Sequence, residues 1–165
     1  MFSEQEIKSP EMREAVGLFE KAYEAQMAGH LSEAIRLYKE SIDIFPTAEA
    51  FTFLGWTYSF QGQYDRAIAE CLAAISVDPD FGNPYNDIGS YLIAKGNFYD
   101  CVRWFRQAME ATRYEARAYP HFNLAFVLER GKLLEAVHHY ALAVREQPDY
   151  AQAYRALRNL QGKLN

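Results

Sequence analysis

Apolar and small residues recur three to four positions apart along most of this chain, which is the spacing of one face of an α-helix. Turn residues separate these stretches, with glycine or proline at regular intervals. Ser9 followed by Pro10 is typical of a helix start, with Ser9 as the cap and Pro10 in the first turn. The pattern predicts helices at about residues 10–28, 31–45, 48–61, 64–77, 82–95, 98–114, 117–129, 132–146 and 149–163.

The chain repeats itself at a nearly constant interval. The segment 62–68, which reads Gly-Gln-Tyr-Asp-Arg-Ala-Ile, recurs with similar residues at 29–35, 96–102 and 131–137, and its glycines are 33, 34 and 35 residues apart. Small residues recur at matching places in both helices of each unit, where they allow close packing, and a proline after the second helix stops it. These small residues are Ala22, Gly55, Gly89 and Ala125 in the first helices, and Ala34, Ala67, Cys101 and Ala136 in the second.

This pattern resembles the tetratricopeptide repeat, a helix–turn–helix unit of about 34 residues. The resemblance covers residues 11–149. It implies an all-α, right-handed solenoid, because each helix pair leaves an apolar face that only a stacked neighbour can cover. The expected organisation is one domain over residues 1–165, with repeats at about 15–47, 48–81, 82–116 and 117–149 and a capping helix at about 150–163.

Two departures from the pattern fall between the third and fourth repeats. Arg113 stands where the proline belongs, and the stretch 111–119 lengthens this junction by two residues. The fourth repeat loses one residue between Ala125 and Gly131. We therefore expect an irregular junction, with a longer helix or a shifted packing angle. The Tyr-x-x-Arg sequence at 114–117, followed by Asn-Leu-Ala at 123–125, also resembles the junction in pilotin-like repeat proteins of type IV pili.

Composition excludes several classes of protein. Half of the residues are apolar and a quarter are charged, so the chain can bury a core, and its apolar runs are too short to span a bilayer. Met1–Glu6 has no apolar stretch typical of a signal peptide, so we expect a cytoplasmic protein without membrane insertion. Residues 1–82 carry a net charge of -8 and residues 83–165 carry +3, which argues against nucleic acid as a partner.

No cofactor, metal or catalytic site is expected. Cys71 and Cys101 sit in apolar helical patterns, where they are expected to be buried thiols in a reducing compartment. His138 and His139 are adjacent on a helix, so they point about 100 degrees apart and cannot share a metal ion. The glycines fall at repeat turns or at helix contacts, which predicts no phosphate-binding loop. The chain is therefore expected to be non-enzymatic.

The resemblance also implies a binding groove, because in this family the first helix of each repeat lines a concave surface. The first three repeats carry no Lys or Arg at the implied positions, which argues against a clamp for a partner's terminal carboxylates. The surface is instead aromatic at both ends and polar in the middle, which suits an apolar or amphipathic segment docked as a helix or strand. The implied residues are Phe19, Tyr23, Met27, Thr52, Trp56, Phe60, Asn86, Ser90, Phe122, Asn123 and Phe126.

Alternatives remain for several of these side chains. Phe19, Phe53 and Phe60 are equally compatible with packing between neighbouring helices, and Met1-Phe2 or the last helix is an alternative occupant of the groove. Trp104 is expected near the convex side, either packing within its repeat or contacting a second copy. We expect a protein–protein adaptor or scaffold, with Trp56 as its main anchor and pilus or motility machinery as its setting. The alternative is a structural protein that self-assembles into a homo-oligomer.

Overall fold

The structure is a computed structural model that describes residues 9–164, and in this range it is an all-α, right-handed solenoid of four helical pairs and a capping helix. The expected contact of Met1-Phe2 with the groove lies outside the described residues. The helices are α1 (Pro10–Met27), α2 (Leu31–Ile44), α3 (Ala48–Phe60), α4 (Tyr64–Val77), α5 (Asn83–Ala94), α6 (Cys101–Glu110), α7 (Ala118–Leu128), α8 (Leu133–Glu146) and α9 (Ala151–Leu164).

Small residues hold the two helices of each pair close together. All eight of the small positions predicted from the repeat are buried. At Gly89 the approach is so tight that an added Cβ would lie 2.4 Å from the ring of Phe105 on α6. Since real Cβ atoms do not approach other atoms this closely, repeat three requires glycine at this place in its first helix. The predicted role of the small residues is confirmed.

Local sequence sets the helix ends. Ser9 and Thr47 begin α1 and α3, where their hydroxyl oxygens accept hydrogen bonds from the backbone N–H of Met12 at 3.1 Å and of Ala50 at 3.2 Å. The residues after α2, α4 and α8 are extended and each precedes a proline, which disfavours helical geometry in the residue before it. Gly62 turns the chain between α3 and α4 with φ +71°.

The junction between repeats three and four is irregular, as expected, but the longer helix is wrong. Helix α6 ends at Glu110, and residues 111–117 run as a non-helical segment. The backbone N–H of Arg113 donates to Asp80 O at 2.9 Å, and that of Gly82 donates to Arg113 O at 3.1 Å. The guanidinium of Arg117 donates to the carbonyls of Met109 and Ala111, which satisfies acceptors at the end of α6.

The core of the stack is divided into clusters that follow one another along the repeats. Phe19, Tyr38, Leu54 and Ile88 belong to one buried cluster in the first three repeats. Phe105, Leu124, Tyr140 and Leu160 belong to a second, so the capping helix α9 covers the apolar face of repeat four.

Cys71 and Cys101 are both buried and free, as expected. Trp104 packs within its repeat against Tyr85, with ring centroids 6.2 Å apart. No helix in residues 9–164 has the length and apolarity needed to cross a membrane.

Candidate protein-binding groove

The first helices of the repeats form one wall of the molecule. Helices α1, α3, α5 and α7 lie side by side, each contacting the next. A concave cavity of about 730 Å³ lies against α1 and α3, and residues 81–83 and 112–116 border it. The capping helix α9 contributes no residue to its lining. Phe19 and Tyr23, two of the predicted groove residues, line this cavity.

An aromatic ladder runs across α1 and α3. We use this name for Phe19, Tyr23, Phe53, Trp56 and Phe60. Phe53 is its centre: its ring lies 5.2 Å from Phe19, 5.6 Å from Tyr23 and 5.6 Å from Trp56, each in edge-to-face geometry. Phe60 continues the series at 5.2 Å from Trp56. Edge-to-face contacts of this kind favour fixed ring positions, so the ladder is a preformed surface.

The ladder runs from a buried floor to an exposed rim. Phe19 is only 4% exposed and lines the bottom of the cavity. Tyr23, Phe53 and Trp56 are partly buried, and Phe60 is 52% exposed. Met27, in the last turn of α1, is 50% exposed. Apolar surface therefore remains open to solvent beside rings that the fold holds in place.

Thr52 does not lie on the groove surface. Its side chain is 3% exposed, and its hydroxyl donates to the backbone carbonyl of Ala48 at 2.7 Å. A threonine that bonds back to the preceding turn keeps its oxygen against its own helix. The expectation that Thr52 faces a partner is therefore corrected.

A polar cluster, which we define as Asn86, Ser90 and Asn123, joins α5 to α7. The side-chain amide of Asn123 donates to Asn86 Oδ1 at 3.1 Å and to Ser90 Oγ at 3.3 Å. The Ser90 hydroxyl donates to the backbone carbonyl of Asn86 at 3.0 Å. These side chains are partly buried, and their bonds fix the spacing of two neighbouring first helices in the middle of the groove.

Asp87 lies beside this cluster and has no ion-pair partner among residues 9–164. Burial raises the pKa of its carboxyl to about 7, although a hydrogen bond from Asn86 acts in the opposite direction. One turn further along α5, the hydroxyl of Tyr91 is buried and lacks a hydrogen-bond partner within residues 9–164. Burial raises the pKa of Tyr91 well above its usual range, and the charge of Asp87 adds to this effect.

The fourth repeat offers less open aromatic surface than the sequence implied. Phe122 packs on Tyr140 at 5.5 Å and on Tyr150 at 5.2 Å, which places it against α8 and the start of α9. Phe126 is 41% exposed, and the guanidinium of Arg130 lies 4.8 Å from its ring centroid. Of the two phenylalanines predicted to face the groove in this repeat, Phe126 is the one that remains exposed.

Arg113 builds one edge of the cavity. Its guanidinium forms ion pairs with Glu49 on α3 and with Asp78 after α4, and it covers the ring of Phe81 at 4.6 Å. Tyr114 packs on Gly82, where an added Cβ would lie 2.4 Å from its side chain. The sequence marked Arg113 only as a missing proline. Its positive charge indicated an ion pair, but the sequence alone did not identify the partner, because Glu49 lies 64 residues away along the chain.

Comparison with sequence families and curated proteins places this fold among known repeats. The tetratricopeptide repeat model matches residues 48–81. Superkiller complex protein 3 of Homo sapiens is 28% identical over 104 residues, which are 62% of this chain and 6% of that protein. Small glutamine-rich tetratricopeptide repeat-containing protein 2 of Mycosarcoma maydis is 28% identical over 109 residues, which are 66% of this chain and 30% of that protein. The chain thus spans less than a third of either relative.

Solved structures share the fold over most of the chain. Pseudomonas aeruginosa PilF superposes with a TM-score of 0.87 at 17% identity, over 94% of this chain and 71% of that chain. PilW, described as a type IV pilus biogenesis factor, gives 0.80 at 17% identity, over 89% and 68%. The first repeat domain of Spaghetti (RPAP3), bound to an HSP90 peptide, gives 0.65 at 21% identity, over 72% and 93%.

The matched repeat coincides with α3 and α4, including the Gly55 contact and most of the aromatic ladder. The remaining helix pairs stack beside it, and their small residues are likewise buried. Residues 48–81 are a tetratricopeptide repeat, and the whole described chain has the tetratricopeptide-repeat fold.

Proposed function

We propose that this chain is a non-enzymatic adaptor that binds an apolar or amphipathic segment of another protein in its concave groove. One observation carries the proposal: the aromatic ladder is held rigid at its base and borders a cavity of about 730 Å³. A preformed apolar surface reduces the ordering cost of binding, and aromatic side chains dominate binding hot spots. The peptide-bound neighbour of the same fold supports this reading.

The contact residues that we propose are the open members of the predicted set. Trp56 and Tyr23 provide the apolar seat, Met27 and Phe60 the exposed rim, and Phe126 the far end. The polar cluster lies between these two ends and offers hydrogen-bonding groups to a bound backbone. A setting in type IV pilus biogenesis is the more specific form of the proposal, and the superposition on PilF and PilW supports it at the level of fold.

Photo-crosslinking from the groove tests this function. A crosslinking phenylalanine analogue replaces Phe60, and in the matched control it replaces Leu72, an exposed apolar residue on α4. In native lysate, we expect a discrete covalent adduct with another protein from position 60 and none from position 72. An adduct made of two copies of this chain supports self-assembly instead. Equal labelling from both positions contradicts a binding site in the groove.

A second measurement separates binding from folding. The Tyr23→Ala and Trp56→Ala substitutions are each combined with the crosslinker at position 60, and circular dichroism checks that both variants remain helical. We expect the adduct to be lost in both. A Leu72→Ala variant, which removes apolar surface outside the groove, is expected to keep it.

A further inference from the structure

In the first helix of each repeat, one position lies two residues before the small residue that was predicted to allow close packing. The side chain at this position differs in chemistry from repeat to repeat. It is Phe53 in repeat two, Asp87 in repeat three and Asn123 in repeat four. Phe53 reaches the rings of α1, and Asn123 reaches the polar side chains of α5. Both therefore point toward the preceding first helix.

By the same register, the position of Asp87 on α5 faces α3, which carries Phe53, Trp56 and Phe60 of the aromatic ladder. Trp56 occupies on α3 the place that Tyr23 occupies on α1 and Ser90 on α5, and those two residues contact Phe53 and Asn123 respectively. The charge of Asp87 contributes to raising the pKa of Cys71 on α4, which agrees with this orientation. This register places Asp87 on the side of α5 that faces α3, between the residues of the ladder and those of the polar cluster.

No basic side chain in residues 9–164 forms an ion pair with this carboxylate. Arg113, the cation at the edge of the cavity, is already held by Glu49 and Asp78. Lys95, at the end of α5, pairs with Asp65. Glu49 and Glu115 line the cavity together with Arg113, so its charged lining also has an excess of acid.

A cation from outside would match this arrangement. A partly buried carboxylate without a counter-ion is unfavourable for the free protein, and an incoming ammonium or guanidinium group removes that penalty. The face of an indole ring also attracts cations, and Trp56 on α3 provides such a ring. An acidic side chain at this place would instead meet repulsion from Asp87.

We propose that the groove selects partner segments that carry a Lys or Arg next to their apolar anchors, with Asp87 as counter-ion and the aromatic ladder as the apolar seat. This inference rests on the proposed function, since it specifies the partner of the same groove. In this proposal, Asp87 determines which segments are preferred, and the aromatic ladder provides most of the binding free energy. Substitutions at the two places should therefore have different effects on binding.

The test is selection from a displayed library of random peptides. The baits are the wild type, Asp87→Asn, Trp56→Ala and a control, Asp43→Asn, which removes an exposed acid from α2. We expect the wild type and Asp43→Asn to enrich peptides that combine apolar residues with Lys or Arg. Asp87→Asn should keep the apolar preference and lose the basic one. Asp87→Ser provides a second variant with the same charge change.

The enriched peptide is then synthesised with its basic residue intact and with norleucine in its place. We expect the wild type to prefer the basic peptide by about tenfold, the effect of about 1.4 kcal/mol, and Asp87→Asn to bind both forms equally. A basic preference that survives in Asp87→Asn and Asp87→Ser overturns this inference, as does apolar enrichment without basic residues. The absence of any peptide enriched over Trp56→Ala overturns the proposed function as well.

Discussion

Repeat two carries Phe53 where repeat three carries Asp87, although the two first helices occupy equivalent places in the stack. Phe53 joins rings from α1 and α3 into one apolar surface. Asp87 leaves a carboxylate without an ion pair in the described chain, next to a polar cluster. The comparison teaches that one stack accommodates both chemistries at this position, each among its own neighbours.

The contacts inside each pair explain why such a change is tolerated. Gly55 meets Cys71 across α3 and α4, and Gly89 meets Phe105 across α5 and α6. These contacts lie behind the groove and join the two helices of each pair. The groove-facing side chains are therefore free to specify a partner, within limits that substitutions in repeats two and three can measure.

Phe53→Asp gives repeat two the chemistry of repeat three, and we expect the largest loss of stability from it. The variant removes a ring that four aromatic neighbours contact and brings a carboxylate among apolar side chains. We expect about 4 kcal/mol lower free energy of unfolding in urea denaturation. Phe53→Leu, the control, should lose about 1 kcal/mol. Similar values for the two variants would contradict an apolar role for this position.

Gly89→Ala tests the tight helix contact of repeat three. The added Cβ would lie 2.4 Å from the Phe105 ring, so the ring or the helix must move. We expect a loss of about 2 kcal/mol in urea denaturation. The control is Gly17→Ala in α1, where an added Cβ has open space and helix propensity improves by up to about 1 kcal/mol. Equal stability of wild type and Gly89→Ala would show that the contact has no role.

Asp87→Asn removes the carboxylate that repeat three carries at this position. Because the pKa of Asp87 is about 7 in the folded chain and 3.8 without its surroundings, the folded state disfavours the charged form. Wild-type stability therefore falls as pH rises from about 4 to 7, and Asp87→Asn lacks this contribution. We expect the stability of the variant relative to the wild type to be higher at pH 8 than near pH 4. Urea titrations at both values check this sign.

His121→Gln tests how the stability of repeat four depends on pH below neutrality, and we expect the smallest effect from it. Nδ1 of His121 lies 3.0 Å from Nδ1 of His139, and burial together with the His139 ring lowers the pKa of His121 to about 4. The unfolded chain takes up a proton near pH 6.5, so wild-type stability falls as pH drops from 6.5 to 4.

The variant lacks this dependence, and its stability relative to wild type should rise by less than about 1 kcal/mol between pH 8 and pH 5. Thermal unfolding at the two pH values measures the difference. A variant that loses stability relative to wild type on acidification would contradict the assignment.

The sequence was sufficient for the architecture because the repeat is local. Small residues such as Gly55 and Ala67, and prolines such as Pro79, act within one helix pair, and their spacing is visible in the printed chain. The extended segment after α6 was not predicted as such, because it depends on pairing between Arg113 and residues near Asp80.

The groove was predicted less completely for the same physical reason. A three-to-four residue spacing identifies a helix face, but it does not separate the buried Thr52 from the exposed Phe60. Phe122 packs against Tyr150, the residue before the capping helix, and the repeat pattern does not encode this contact. The lack of an ion-pair partner for Asp87 in residues 9–164 could be recognised only in the structure.

The central claim is that partners bind to the faces of α1, α3 and α5. Chemical-shift mapping by NMR, with a peptide obtained from the selection against the wild type, tests it most directly. The account predicts that the largest shifts cluster at Tyr23, Trp56, Phe60 and Asp87, with small changes on the outer face of α4 around Leu72. Shifts that centre on α2, α4 and α6 would contradict it.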